Sequence, residues 1–361
     1  MRVIYLGLSI NDTVGGIQNY SKIFLKALEV NNIDYKAYIL HDKKPLGNDN
    51  SYCFKGNKLN FLIKVLLTVK TSDIVIWNHI SLGILYFLFK PIIRSKNNIL
   101  IVYGTEVWNK NLSSIKIKSL KTFDSIWSIS SYTKNRLNSI HNINKEKFSI
   151  LPCCLDKDSK KGYKNPFNKE KINILTISRL DLEPKINATY RVLDVMPILI
   201  MQGFNVHLSI IGSGSEVCKL KKHATKLAIN QHVDFLGYVD DTRPYLEHCD
   251  IFSLLSEHEG FGIVYLEAMQ YSKCCLSAKD CGSEDVIVND VNGYAVNIQD
   301  LNDLENKFTR LCKKQDLREK MGNNGLNIFN KKFTFNKVAK IQMELLQNVR
   351  EQEILIPRYK F

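Results

Sequence analysis

The chain has 361 residues, 45% hydrophobic and 24% charged, an ordinary balance for a globular protein and enough length for two domains with separate cores. Its nine cysteines form no CxxC or Cys/His zinc spacing, and no apolar run approaches the roughly 18 residues of a membrane span, which excludes a zinc module and a spanning helix. The net charge of +14 is one-sided: residues 1–165 hold 25 Lys and Arg against 11 Asp and Glu, whereas residues 166–361 balance. An excess confined to one half suits an anionic partner such as phospholipid, a lipid-linked phosphate or nucleic acid; the competing reading is a lysine-rich compositional bias.

The start, MRVIYLGLSIND, is too short in its apolar part for a signal sequence, so the cysteines read as free thiols in a reducing compartment. Arg2 to Gly7 is a predicted strand, and Ile17 to Val30 a helix with Tyr20, Phe24, Ala27 and Leu28 at helical spacing. Between them, Gly15 and Gly16 let backbone approach a phosphate closely, although a GxGxxG fingerprint is absent. Tyr35 to Leu40 is a second strand. Leu59 to Val69 and Leu82 to Ile93 are apolar helical segments edged by Lys58, Lys64, Lys70, Arg94 and Lys96. They suit core helices or segments lying on a membrane surface with lysines at the headgroups. Asp73 to Trp77 is a strand ending at Asn78 and His79, and Asn98 to Val102 is another, followed by Tyr103, Gly104, Thr105 and Glu106. Strands at Ser125 to Ser130 and Phe148 to Leu151 complete this half. The polar stretch Lys157 to Lys169, with Gly162 and Pro166, reads as a linker and predicts domains over 1–165 and 166–333.

In the second half, a strand from Asn173 to Ser178 is followed by Arg179 and Lys185. Two cations just beyond a strand end are placed to neutralise a diphosphate, or else are solvated surface charges. A strand at Asn205 to Ile211 leads into Gly212, Ser213 and Gly214 and a helix; Val233 to Leu236 is the next strand. The most informative stretch is Asp250 to Ser272, DIFSLLSEHEGFGIVYLEAMQYS. It joins an apolar run, a Gly-containing turn and a helical pattern from Ile263, so the free N–H groups of Gly262, Ile263 and Val264 form an anion site favoured by the helix dipole. Glu259 lies in the turn and Glu267 one turn into the helix. Carboxylates accept hydrogen bonds from hydroxyls, so phosphates between two hydroxyl-bearing ends, as in a nucleotide-sugar, fit the layout. One such Glu alone reads as a solvated surface group; turn, glycines and spaced acids together do not. A strand at Cys274 to Ser277, a helix opening at Gly282, and helices at Leu301 to Leu311, Asp316 to Phe329 and Thr334 to Arg350 complete the chain.

The segment EGFGIVYLEA, Glu259 to Ala268, resembles the E-x7-E signature of retaining glycosyltransferases of family 4, which have the GT-B fold. The resemblance implies two doubly wound, Rossmann-like α/β domains facing across a cleft, with the C-terminal helix, about 334–361, packing back on the first. It implies that Gly15 and above all Gly16 face the donor diphosphate, that Gly212 turns under the nucleotide, and that Gly260, Phe261, Gly262, Ile263 and Val264 line the donor. Glu267 would hold the ribose and Glu259 the donor sugar, with Arg179 and Lys185 on the leaving diphosphate. The chain departs from the family where Arg179 and Lys185 stand six rather than five apart, and where Tyr103 replaces the usual histidine. Tyr103, Glu106 and His79 are the acceptor-side candidates.

The activity so implied is transfer of a sugar, with retention, from a UDP-sugar in first place and a GDP-sugar in second. No metal or cofactor is expected. The acceptor would be a glycan or lipid diphosphate in surface polysaccharide assembly such as O-antigen or capsule. The setting would be cytoplasmic, peripheral on an anionic membrane met through the basic first domain. A nucleotide-sugar epimerase on the same fold needs an acid/base set that the sequence does not offer. A nucleic-acid-binding protein needs a recognisable module, and none is present.

Overall fold

The computed structural model describes residues 1–361 apart from 13–14, 48, 94–96, 159, 182–184 and 356–361, and apart from the side chains of 185 and 352–355. The chain divides into two units, Met1–Cys154 with Phe335–Phe361, and Leu155–Thr334.

The first unit runs β1 (Arg2–Gly7), α1 (Gly16–Val30), β2 (Asp34–Ile39), β3 (Ser51–Cys53), α2 (Lys58–Thr68), β4 (Ile74–Trp77), α3 (Ile80–Phe89), β5 (Asn97–Val102), α4 (Ser114–Thr122), β6 (Ser125–Ser128), α5 (Ser131–His141) and β7 (Phe148–Ile150). The strands form one parallel sheet in the order β3-β2-β1-β4-β5-β6-β7. Helices cover both faces of such a sheet, so its central strands carry apolar runs rather than alternating; β4, Ile-Val-Ile-Trp, is buried at every position. Strand order runs one way from β1 to β3 and the other from β4 to β7, and right-handed crossovers therefore put α1 on one face and α2 to α5 on the other. On that second face Phe61 and Val65 of α2, Tyr86 of α3, Leu120 of α4 and Leu137 of α5 share one core with Leu6, Trp77 and Val102.

The second unit runs β8 (Ile172–Ile177), α6 (Lys185–Met201), β9 (Val206–Ile211), α7 (Val217–Lys226), β10 (Val233–Gly237), α8 (Arg243–His248), β11 (Ile251–Leu254), α9 (Ile263–Gln270), β12 (Cys274–Ala278), β13 (Gly293–Val296), α10 (Leu301–Lys313) and α11 (Gln315–Lys332). Its sheet is also parallel, in the order β10-β9-β8-β11-β12-β13. Both units are thus doubly wound, each with one point where strand order reverses: between β1 and β4, and between β8 and β11. The last helix, α12 (Phe335–Leu355), packs on α1 in the first unit. There Gln342 Nε2 donates to the carbonyl of Phe24 at 3.1 Å, and the Lys26 ammonium lies 4.5 Å from the Phe335 ring centroid.

The boundary falls after Cys154, not at 165. The stretch expected to be a free linker is fastened to the second unit: the N–H groups of Gly162 and Tyr163 donate to the Glu247 carboxylate at 2.8 and 2.7 Å, and that of Asp158 to Gln270 Oε1 at 2.8 Å. The helix expected from Gly282 is a single 3₁₀ turn, Gly282–Asp285. Among the described residues no cysteine forms a disulfide; Cys218 is exposed and Cys53 half-buried, and the other seven are buried. Among the described residues no helix is long and apolar enough to cross a membrane.

Candidate functional site

Ligands of doubly wound sheets bind beyond the carboxyl ends of the strands where strand order reverses. In the second unit those are the segments after β8 and β11, which carry Arg179 and Glu259. The neighbouring turns are stacked on one another. Leu180 N–H donates to the Ser213 carbonyl at 3.0 Å, and Gly212 N–H to the Gly237 carbonyl at 2.8 Å. Gly212 has φ +144°, and a Cβ there would lie 1.8 Å from the Ser178 carbonyl oxygen; no side chain fits. Gly212 is therefore the seam between the β8 and β9 turns. Arg179 is exposed, and its guanidinium has no partner among the described residues. Lys185 opens α6, but its side chain lies outside the described residues.

After β11, a residue not singled out in the sequence fixes the turn. Arg191 of α6 donates from Nη1 to the Leu255 carbonyl at 2.9 Å and pairs through Nη2 with Glu257. The Glu259 carbonyl accepts from Gly282 N–H at 2.7 Å. Gly262, at φ +87°, is the residue before α9, and no side chain caps the helix there. The N-terminus of α9 is open, with Ile263 and Val264 half-buried, while Tyr265 and Leu266 point into the core. Tyr265 donates its hydroxyl to the Leu254 carbonyl, and Phe261 is buried edge-on against Phe333 at 5.7 Å. The Phe261 side chain is thus a core group.

Glu267 shares the open face of α9 with Ile263 and Val264, since positions three and four apart on a helix are neighbours. It is half-buried, its carboxyl has no hydrogen-bond partner among the described residues, and burial pushes its pKa up to about 7. A carboxyl that loses water without gaining a partner is poised to accept hydroxyl donors from a ligand. Glu259 is half-buried in the turn. Nearby, Ser256 Oγ is fully buried and also without a partner among the described residues.

In the first unit the reversal point lies beyond β1 and β4. Gly15 precedes α1 with an extended backbone, its carbonyl accepts from Asn19 N–H at 3.0 Å, and no side chain caps that helix; Gly16 is its exposed first residue. The approach to this turn is held by Asp42, which follows β2. Its buried carboxylate accepts from the Ile10 and Asn11 N–H groups at 2.9 and 2.8 Å and from Ser9 Oγ at 2.5 Å. Burial works against that charge, but the Ser9 hydroxyl and the N–H groups of Asn11, Ile10 and Asp12 outweigh it and hold the carboxyl below its ordinary range.

After β4, Asn78 is buried, donates to Ser21 Oγ at 2.8 Å and accepts the Tyr103 hydroxyl. Tyr103 is buried edge-on against Tyr20, and burial raises its pKa well above the ordinary value. Its hydroxyl is spent inside the unit, which leaves His79 and Glu106 as the other acceptor-side candidates. His79 accepts from Ser81 N–H through Nδ1 at 3.1 Å, capping α3, and burial with Lys116 nearby lowers its pKa, leaving Nε2 of a neutral ring. Glu106 accepts from Tyr103 N–H at 2.5 Å, and burial raises its pKa against the pull of the Tyr103, Glu106 and Gly104 N–H groups and of Lys116.

Residues 158–327 match the family described as Glycosyl transferases group 1, a stretch that lies within the second unit. Over 151 residues the chain is 30% identical to N-acetyl-alpha-D-glucosaminyl L-malate synthase of Bacillus anthracis, covering 41% of this chain and 40% of that protein. Over 141 residues it is 29% identical to the lipopolysaccharide core biosynthesis glycosyltransferase LpsE of Rhizobium meliloti, covering 39% and 42%. The matches thus span about two-fifths of these curated relatives. Anabaena Alr3699/HepE, solved with UDP and glucose, superposes with a TM-score of 0.74 over 96% of this chain and 100% of its own at 17% identity. The fold is that of GT-B glycosyltransferases.

Proposed function

We propose that the protein is a retaining glycosyltransferase that moves a sugar from a nucleoside-diphosphate sugar, a UDP-sugar first and a GDP-sugar second, to a glycan or lipid-diphosphate acceptor in surface polysaccharide assembly. The observation that carries this reading is the uncapped N-terminus of α9 with the unpartnered Glu267 carboxyl on the same open face. The named activities of the curated relatives and the UDP bound to Anabaena HepE support it.

The α9 N–H groups, Arg179 and Lys185 hold the diphosphate, and they act most strongly on the charge that develops as the anomeric C–O bond breaks. Glu267 gives up its proton and accepts the ribose hydroxyls. Glu259 accepts hydroxyls of the donor sugar and orients its anomeric carbon. The acceptor oxygen bonds that carbon on the face the diphosphate leaves, and the acceptor's proton passes to the departing phosphate oxygen. Charge is balanced by side chains and N–H groups, so no metal is required. The setting is the cytoplasmic face of an anionic membrane.

Thermal stabilisation by UDP, GDP, ADP and CMP tests the donor site. A ligand held only by the folded state stabilises by about 2.7 kcal/mol at a hundredfold excess over its dissociation constant. A shift with one nucleoside diphosphate, lost in Glu267→Ala, supports the reading and names the base. No shift with any nucleotide, or an unchanged shift in Glu267→Ala, counts against it.

A further inference from the structure

Helix α2 carries a row of aliphatic side chains that the fold leaves uncovered. Leu59, Ile63 and Leu67 are 67%, 48% and 68% exposed. They recur every fourth residue, so they form one stripe, on the side of α2 opposite Phe61 and Val65, which enter the core. The stripe is not needed for folding, because the other face already supplies the packing. The end of α3, in the same helical layer, and the turn after it carry Leu88 and Ile92, 53% and 48% exposed.

The charge around the stripe is of one sign. Residues 50–72 contain Lys55, Lys58, Lys64 and Lys70 and no Asp or Glu. The Lys64 ammonium rests 5.6 Å from the ring centroid of Tyr52, itself exposed on the short edge strand β3. Leucines at the outer surface with lysines at their flanks fit the boundary between acyl chains and anionic headgroups. A second copy of this chain fits poorly, since an isologous contact would set the lysines against lysines.

We propose that α2 is a membrane-docking element: Leu59, Ile63 and Leu67 enter the interfacial layer of an anionic bilayer while Lys55, Lys58 and Lys70 hold its headgroups. This names the surface by which the proposed transferase meets the membrane of a lipid-borne acceptor, yet it rests on the α2 face alone and is read without nucleotide or turnover.

The test is co-sedimentation of the full chain with vesicles of phosphatidylcholine alone or mixed with phosphatidylglycerol, for the parent, for Leu59→Ser/Ile63→Ser/Leu67→Ser and for Lys55→Gln/Lys58→Gln/Lys70→Gln. All six positions are exposed, so unchanged melting temperatures verify folding. The expected result is binding to the phosphatidylglycerol vesicles only, weakened from about 0.1 M to about 1 M salt and reduced at least about tenfold in either variant. Three results overturn the proposal: no binding to anionic vesicles, undiminished binding of the aliphatic variant, or equal binding to both vesicle types. Self-association of the parent that the aliphatic variant abolishes, without vesicle binding, reassigns the stripe to a contact between copies. Vesicle binding without sugar transfer leaves the docking surface standing and removes the transferase reading; the reverse pattern does the opposite.

Discussion

Arg191 on α6 holds the carbonyl of Leu255, where β11 ends, at 2.9 Å. The same guanidinium pairs with Glu257, so one side chain ties two consecutive parts of the turn that leads to Glu259 and α9. A planar fork makes these two contacts at once, which an ammonium does not. Arg191→Lys is expected to cost about 1–2 kcal/mol and Arg191→Ala about 2–3 kcal/mol in urea unfolding, because the carbonyl and Glu257 lose a charged partner. Nucleotide affinity should fall in both. Wild-type stability in Arg191→Ala would mean that the turn is fixed by other contacts.

Glu267 links pH to both stability and binding. Burial lifts its folded pKa to about 7, above an unfolded value of about 4.3. The folded state therefore binds this proton more tightly, and the stability it contributes is complete below about pH 4 and is lost as pH rises through about 7. Glu267→Gln keeps the shape without the charge. Its melting temperature should match the parent near pH 4.5 and exceed it at pH 8, while its stabilisation by nucleoside diphosphate shrinks. Parallel pH curves for parent and variant would remove Glu267 as the titrating group.

The opposite sign applies to Asp42. Its folded pKa lies below the ordinary value, so its contribution is present at neutral pH and is lost as pH falls through the folded pKa. Asp42→Asn should cost about 1–3 kcal/mol at pH 7 and flatten the loss of stability towards acid. Faster hydrogen exchange at Ile10 and Asn11 is the local signature, and protection equal to the parent's would contradict the role given to the carboxylate.

Gly212→Ala places a methyl against the Ser178 carbonyl at a backbone angle that favours glycine. The β8 and β9 turns must part, at a cost of about 2 kcal/mol or more, and nucleotide binding should weaken with it. A variant as stable as the parent, with equal affinity, would show that the seam is not a fixed part of the site.

If the diphosphate is neutralised by Arg179, Lys185 and N–H groups, a chelator leaves turnover intact. Activity that vanishes with chelator and returns with added divalent metal would replace that account.

The strands were legible because a sheet covered on both faces spells out runs such as Ile-Val-Ile-Trp, and the turns because Gly212 and Gly262 mark positions where a side chain does not fit. What the sequence hides is partnership across distance. Nothing near Tyr103 announces that Asn78, twenty-five residues earlier, takes its hydroxyl. His79 looks like a free imidazole until Ser81 is seen to use one of its nitrogens. Asp42 and Arg191 are ordinary loop and helix residues by pattern, and only the fold brings them to Asn11 and Leu255. The polar stretch after Cys154 has a linker's composition, yet Glu247 and Gln270 bind its backbone. Lys58 to Thr68 suits core and surface equally by periodicity because it is both: Phe61 and Val65 go in, and Leu59, Ile63 and Leu67 stay out.

The distribution of thiols has a practical consequence. Burial pushes the thiols of Cys249 and Cys274 up to about 12, so they rarely ionise at neutral pH, and the thiolate is the form that alkylates. Among the cysteines Cys53 is half-buried, and Cys218, on α7, is the exposed one. A maleimide dye applied briefly to the native protein should enter there alone, on the helix that follows the Gly212 turn, giving a fluorescent reporter of donor binding without any engineered substitution.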